Sequence, residues 1–553
     1  MITNPDERLD EATAWRQAAG HLTHRMLGEL SHEGLFEPEP AGGDVWRLPL
    51  GEAVYEFRAR RGAFGSFVVT GGSATRRAEG EDPVPVEDPR ALLVDARTTL
   101  GLYGSRLAEV LTELTATIAN EASRLRSAPA AEKLSTMDYN LAEGHLTGHP
   151  PLVFDTGRSG FSAEDRQRYA PESGEDIQLR WFAVRRDHAR FESIEDLGEN
   201  LLLLEELDAE QRAEFAEAAG ELPDYVLLPL HPWQADEIVG VRYAGELASG
   251  AVIDLGPGYD HYRPHQTVWS LANVGRPNRR DVVVLPAPEA PTITSGLKRI
   301  NAEGRIGLEL LGDVASVTIR HPLFAELPDA AIGALWREPV LSRVAEGEQA
   351  LSFAALPYRD LDGRAVLTEV IRRSGLGAER WCAEVLGLLL TPLLRWLCEY
   401  GVGLCAYAQN LVLIVDGHGK PLRVAIKDLA HGVELLDEEL ACHRLLDADL
   451  PRKPANVLAR SLSDAVFAGQ LRYWAEILFD DLDLPRTRFW DLVRETVTRY
   501  RDDNPGLAQR FEACGLLAPE VERVTPNREQ LAGEAWAGRV PNPLYGPAED
   551  GAW

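Results

Sequence analysis

The sequence predicts an α+β protein of two or three subdomains, on three observations. Its 553 residues exceed what one hydrophobic core organises. Strand-like and helix-like segments are segregated along the chain, with an antiparallel patch early, a mixed middle and a largely helical final third. Apolar residues make up 45% and charged residues 26%, the balance of an ordinary globular protein. Composition shifts place the boundaries near residues 136 and 330, giving segments 1–136, 137–330 and 331–553.

The elements follow in order. Residues 10–34 carry apolar positions at helical spacing and close on a glycine, which predicts a helix. "DVWRLPL", "EAVYEFRARR" and "SFVVTGG" are short, β-rich and separated by glycine turns, an antiparallel patch. Residues 98–127 predict a long amphipathic helix, ending at "APAAEK". In the middle, "IQLRWFAVRR", "YVLLPL" and "VVVLP" read as strands. Residues 193–220 read as an acidic helical stretch whose carboxylates face solvent. "AERWCAEVLGLLLTPLLRWLCEYG" reads as a buried helix, and "LVLIVDGHGKPLRVAIKDL" as a hairpin turning at Asp416–Lys420.

A formal net charge of −30 repels nucleic acid and anionic membrane and favours small-molecule chemistry. No stretch of eighteen uncharged apolar residues predicts a membrane span, and the acidic N-terminus does not resemble a secretory signal. The five cysteines, in no close pair, read as free thiols of a reducing cytoplasm.

Three polar clusters stand where apolar elements end. "EGHLTGHPPLVFDTGRSGFS" holds His145, His149 and Arg158, with Gly157 and Gly160 opening room for an anion beside the guanidinium. His231 in "LPLHPWQ" ends an apolar strand, where a structural cap is the favoured reading over a ligand contact. In the hairpin, antiparallel pairing brings Gln409 and Asn410 beside Lys427 and Asp428. Amide and carboxylate oxygens there suit a Mg²⁺ ion that shares its ligands with water and a nucleotide phosphate. "VAIK" at 424–427 matches the lysine strand of protein kinases, but no His-Arg-Asp loop, Asp-Phe-Gly or glycine loop accompanies it.

In this order and spacing, "GHP…TGRSGFS…YAPE", "LPLHPWQ", "TITSGLKR", "GVGL…AQN…KDLAHG" and "VPNPL" resemble the IucA/IucC family, the NRPS-independent siderophore (NIS) synthetases. The resemblance implies a cupped-hand fold, with thumb, fingers and palm subdomains for the three segments, and a homodimer. It implies use of ATP and Mg²⁺ to adenylate a carboxylate, citrate-like or another polycarboxylate, followed by attack of an amine, hydroxylamine or alcohol. Carried over by motif, His149, Arg158 and Lys298 would serve the carboxylate and phosphates. Ser270, Thr294, Ser295, Gln409, Asn410 and Lys427 would line the nucleotide pocket, and Asp428 with Asn410 would hold the metal.

The chain departs from the family pattern at charged positions. Cys405 and Tyr407 stand where the family carries Glu and His, Ala272 where it carries Arg, and Pro286 where it carries Lys. Each lost contact to developing charge costs a few kcal/mol of transition-state stabilisation, about 10²–10³ in rate. Arg263, Arg276, Arg279 and Arg280 are candidate replacements. Cys405 raises the alternative of acyl transfer through a thiol, and a non-catalytic partner of an active synthetase is the rival of another class.

Overall fold

The structure, a computed structural model, describes residues 9–220, 222–265, 267–321, 323, 331–533 and 538–546. The first helix, Glu11–His32, starts where the Asp10 carboxylate accepts the Thr13 N–H, leaving a face of Ala14, Ala18, Leu22 and Met26 to be buried. That face packs on helix Gly104–Arg126 and on a six-stranded antiparallel sheet whose central strand, Ala53–Arg61, buries every second residue from Ala53 to Ala59. Helix Gly104–Arg126 begins six residues later than its apolar periodicity suggests, because Gly101 and Gly104 take left-handed backbone.

The middle of the chain forms an eight-stranded antiparallel sheet. Its order is Ala189–Ser193, Asp313–Arg320, Ala331–Arg337, Asp281–Val283, Ser270–Asn273, Val252–Pro264, Ile177–Arg185 and Tyr225–Leu230. Tyr225–Leu230 is the edge, which is where a strand tolerates Pro229. The acidic stretch 193–220 is two helices, Glu199–Glu206 and Ala209–Ala219, broken at Leu207. Its carboxylates are not all solvated: Glu206 is buried and bonded to Arg280 at 2.8 Å.

The third core surrounds helix Ala378–Cys398. This helix is long and apolar enough to cross a membrane by length and composition, but Trp381, Leu386, Leu390 and Trp396 lie at the centre of the packed core. Beside it lies a four-stranded sheet, Glu309–Leu310, Pro421–Ile426, Leu411–Asp416 and Glu348–Ser352. The hairpin pairs Leu411 with Ile426, and the Asp416 carboxylate accepts the His418 and Lys420 N–H groups at its turn. Helix Ala290–Gly304 inserts Ile293, Leu297 and Ile300 into this same core, so the large sheet and the hairpin are joined through one helix.

Candidate functional site

The open end of the hairpin is where the polar clusters converge. The Lys427 N–H donates to the Asn410 carbonyl at 2.9 Å, which sets Gln409 and Asn410 against Lys427 and Asp428. Gln409 lines a cavity of about 350 Å³ together with His149, Asp155, Arg158, Phe161 and Trp269. A larger groove of about 700 Å³, over strand Ile177–Arg185, is lined by Tyr169 and Pro232 of the motifs but by none of the candidate site residues.

The loop carrying His149 is clamped from several directions. Its N–H donates to the Asp155 carboxylate, and its carbonyl accepts the Arg25 guanidinium, which also reaches the Pro150 carbonyl. Asn527 holds the Pro151 carbonyl and the Val153 N–H, and Asn120 holds the Thr156 carbonyl. Gly157 is required by packing: a Cβ there would stand 2.8 Å from the Glu113 carbonyl oxygen of helix Gly104–Arg126. Its role is therefore close approach to a helix, a different reason from the anion access expected of it. Arg158 bonds Glu172 at 2.6 Å in a buried pair. Arg158 and Val268, both on the cavity wall, and Asp428 hold left-handed backbone, which is strained for non-glycine residues and most of all for a β-branched one.

Behind the cavity lies a buried charged chain that the motifs do not announce. Arg337, 4% exposed, donates to Asp313 at 2.7 Å and to Asp428 at 3.0 Å. The Asp313 N–H donates to the Thr294 hydroxyl at 3.0 Å. Next to Arg337, Glu338 accepts Lys298 at 2.6 Å and the Gly312 N–H at 2.8 Å. Burial works to raise the Asp428 carboxyl, but Arg337 and His431 outweigh it and hold it down at about 2. Burial pushes Asp281, across the strand from Arg337, up to about 7 despite Lys427 and Arg337. Lys427 is buried and donates to the Tyr139 hydroxyl at 2.9 Å. Ser270 joins the same region through His265, at 3.5 Å, and His265 contacts Asn140 at 3.2 Å. Burial depresses His265 to about 4.

Most of the residues singled out in the sequence therefore fall into two adjoining groups. His149, Arg158 and Gln409 share the cavity, and Thr294, Lys298, Asn410, Lys427 and Asp428 share the buried network with Ser270 at its margin. Ser295 stands apart, exposed, with its hydroxyl bonded to the Pro291 carbonyl of its own helix. His231 is a cap: Nδ1 accepts the Trp233 N–H, and burial among aromatic rings lowers it to about 3. The candidate replacement cations are committed elsewhere. Arg263 pairs with Asp176, Arg276 and Arg279 with Asp260, and Arg280 with Glu205 and Glu206. Arg337 is the cation at the site that sequence reasoning missed. Its "WREP" context carries no motif, and only strand pairing places it between two aspartates.

The departures also find their places. Tyr407 stands edge-on to His149 with ring centroids 5.9 Å apart. The Cys405 thiol is pushed up to about 12, first by burial and then by Asp428, so it stays protonated. Among the described residues, no cluster of three or more His, Cys, Asp or Glu side chains forms a metal cage. An ionised Asp428 and the amide oxygen of Asn410, whose NH₂ group is occupied by the Cys405 carbonyl at 3.0 Å, fit a Mg²⁺ that takes its other ligands from water and substrate.

Comparison with known proteins places this arrangement. The model of the IucA / IucC family matches residues 138–358, and that of the ferric iron reductase FhuF-like transporter matches residues 379–538. Putrebactin synthase of Shewanella sp. (strain MR-4) is 30% identical over an alignment covering 96% of this chain and 91% of that protein. The chain belongs to the IucA/IucC family. Aerobactin synthase of Escherichia coli, another relative, is 27% identical with 94% of each chain covered. Among solved structures, aerobactin synthetase IucC of Klebsiella pneumoniae superposes with a TM-score of 0.88 at 26% identity, covering 97% of this chain and 99% of that one. AsbB of Bacillus anthracis shares the fold at a TM-score of 0.85 and 22% identity. The cupped-hand NIS synthetase fold read from the motifs is thus the fold of this IucA/IucC member.

Proposed function

We propose that this IucA/IucC member is an ATP-dependent ligase that activates a carboxylic acid and joins it to an amine, hydroxylamine or alcohol. Relatives with such names include aerobactin synthase and a citryl-spermidine:spermidine ligase of Bacillus anthracis. The fold also occurs in aerobactin synthetase IucA of Klebsiella pneumoniae, solved bound to ATP. The observation that carries the reading is the cavity in which His149, Arg158 and Gln409 meet, next to the hairpin end bearing Asn410, Lys427 and Asp428.

In the reaction, the acid's carboxylate attacks the α-phosphate of ATP and pyrophosphate leaves; the acceptor then attacks the acyl-adenylate and AMP leaves. Arg158, steadied by Glu172, offers a fixed guanidinium to negative charge on the cavity wall. His149 presents a ring whose backbone cannot shift, because Asp155 and Arg25 hold both sides of it. Gln409 offers an amide to the same space. Mg²⁺, held by Asp428 and Asn410, would supply charge neutralisation at the phosphates. Arg337 positions Asp428 and keeps it ionised, its own charge being committed to Asp313 and Asp428. Cys405, protonated, has no nucleophilic part in this scheme.

The test is to incubate the protein with ATP, Mg²⁺, hydroxylamine and a panel of polycarboxylic acids. Acid-dependent formation of an acyl hydroxamate together with AMP is expected, and its loss in Arg158→Gln ties the chemistry to the cavity. ADP in place of AMP, or no hydroxamate from folded protein, contradicts the reading.

A further inference from the structure

We propose that a second site, for a small oxyanion, lies in the seam between the N-terminal helix and the C-terminal tail. A cavity of about 310 Å³ there is lined by Ser31, Gly34, Arg61, Gly65, Arg523 and Arg539, with Glu37 also on its wall. The three arginines come from different parts of the chain. Arg61 ends strand Ala53–Arg61, Arg523 follows strand Glu520–Glu522, and Arg539 opens strand Arg539–Pro541.

Their surroundings are unlike those of most arginines in this acidic protein, which face carboxylates. Among the described residues neither Arg61 nor Arg523 has a carboxylate within ion-pairing distance. Arg61 instead lies 4.2 Å over the Phe67 ring and 5.7 Å from that of Trp46. Arg523 Nε is buried with no hydrogen-bond partner, as is the hydroxyl of Ser31, which is 6% exposed. Arg539 donates to the Glu520 carbonyl and stands 3.9 Å from the Glu520 carboxylate. Two glycines make the room: Arg523 Nη1 lies 2.5 Å from where a Cβ of Gly34 would stand, and Arg61 Nη2 3.9 Å from that of Gly65.

Burial and the neighbouring positive charge lower both Arg61, itself exposed, and Arg523, with Arg523 acting on Arg61 and Arg528 on Arg523, while the Glu33 carboxylate works the other way on Arg523. Converging cations that repel one another and make no ion pair are eased when an anion joins them. Guanidinium groups match the paired oxygens of phosphate and carboxylate alike. A cavity of this size admits phosphate, pyrophosphate or a small di- or tricarboxylate. An anion bridging Arg61 and Arg523 ties the tail to the N-terminal sheet only four residues before Asn527, which clamps the His149 loop.

The experiment is calorimetric titration and thermal shift of the whole chain with phosphate, pyrophosphate, succinate and citrate, chloride serving as the control. It is run on the native protein and on Arg61→Gln, Arg523→Gln, Arg523→Lys and Arg158→Gln. We expect binding by phosphates, by carboxylates, or by both, which identifies the source of the anion. Loss of one charge-assisted contact is expected to weaken it roughly tenfold or more in Arg61→Gln and Arg523→Gln. Arg158→Gln should keep this binding. In chloride alone, Arg523→Gln should melt no lower than the native protein, because it removes a repulsion and breaks no ion pair. Should Arg523→Gln fail to fold, Arg61→Gln and Arg523→Lys carry the same comparison. The proposal is overturned if none of the anions binds at millimolar levels, if the Arg61 and Arg523 variants bind unchanged, or if Arg158→Gln alone abolishes binding.

Discussion

Arg337 sits between Asp313 and Asp428 with almost no solvent contact, so its loss leaves the buried Asp313 carboxylate facing the half-buried one of Asp428. Breaking a buried pair by removing one partner typically costs about 3–5 kcal/mol. Arg337→Leu is therefore expected to lower the urea midpoint by an amount in that range, as well as to lower activity. Arg158→Gln should lower activity about 10²–10³-fold and also destabilise the fold, because it leaves Glu172 buried without its partner. A stability loss without a loss of activity would show that Arg158 serves the fold alone. Cys405 gives a second expectation at this scale. A thiol raised to about 12 resists alkylation, so iodoacetamide at pH 8 should leave Cys405 unmodified in folded protein, and Cys405→Ser should retain activity within several-fold. Rapid labelling with parallel inactivation would revive the thiol mechanism. Such residues were only partly legible beforehand. His149, Arg158, Gln409 and Asp428 stand in recognisable motifs, whereas Arg337 and Asp313 acquire their meaning only when strands far apart in sequence pair.

The loop 148–158 shows how elements position a site. Its backbone is held by Arg25 from the first helix, Asn120 from the long helix and Asn527 from the C-terminal helix Pro526–Ala532. Misplacing a reacting group by about 1 Å can cost on the order of 10²-fold in rate. Arg25→Ala is expected to reduce kcat/KM by about that factor, with added guanidinium restoring part of it, and its effect should largely vanish in a His149→Ala background. An undiminished effect there would mean that Arg25 acts through something other than His149. Glu33 governs the third clamp, because its carboxylate accepts the Asn527 and Arg528 N–H groups at the start of that helix. Burial raises Glu33 to about 7, aided by Glu29, against the hydrogen bonds from Asn527 and Arg528; His32, Arg472 and Arg523 are charged or titratable neighbours. A folded value above the unfolded one means that folded protein keeps a proton which unfolded chain releases. The stabilisation is complete below about pH 4.5 and is lost as pH rises toward 7. Glu33→Gln should flatten that part of the melting-temperature profile; an unchanged slope would assign it to another group. The hairpin, the buried helix and the edge strand were legible from periodicity and turn residues. The break at Leu207 and the late start of helix Gly104–Arg126 were not, because capping and glycine backbone decide them locally.

At the scale of the molecule, three cores are stitched together by charge. Helix Ala290–Gly304 bridges the large sheet and the hairpin, and the buried network around Arg337 lies where they meet. The family's missing charges make Arg263, Arg276, Arg279 and Arg280 candidate replacements in the sequence, but their pairing with Asp176, Asp260, Glu205 and Glu206 is legible only with the sheet order. The proposed place of carboxylate activation is the cavity formed by His149, Arg158 and Gln409. Its most direct test is acid-dependent exchange of labelled pyrophosphate into ATP, with native protein and Arg158→Gln compared side by side. We predict exchange with at least one polycarboxylic acid in the native protein, and a fall of about 10²–10³-fold in the variant. Exchange that ignores the acid, or survives Arg158→Gln intact, would contradict the assignment of this cavity as the place where the acid is activated.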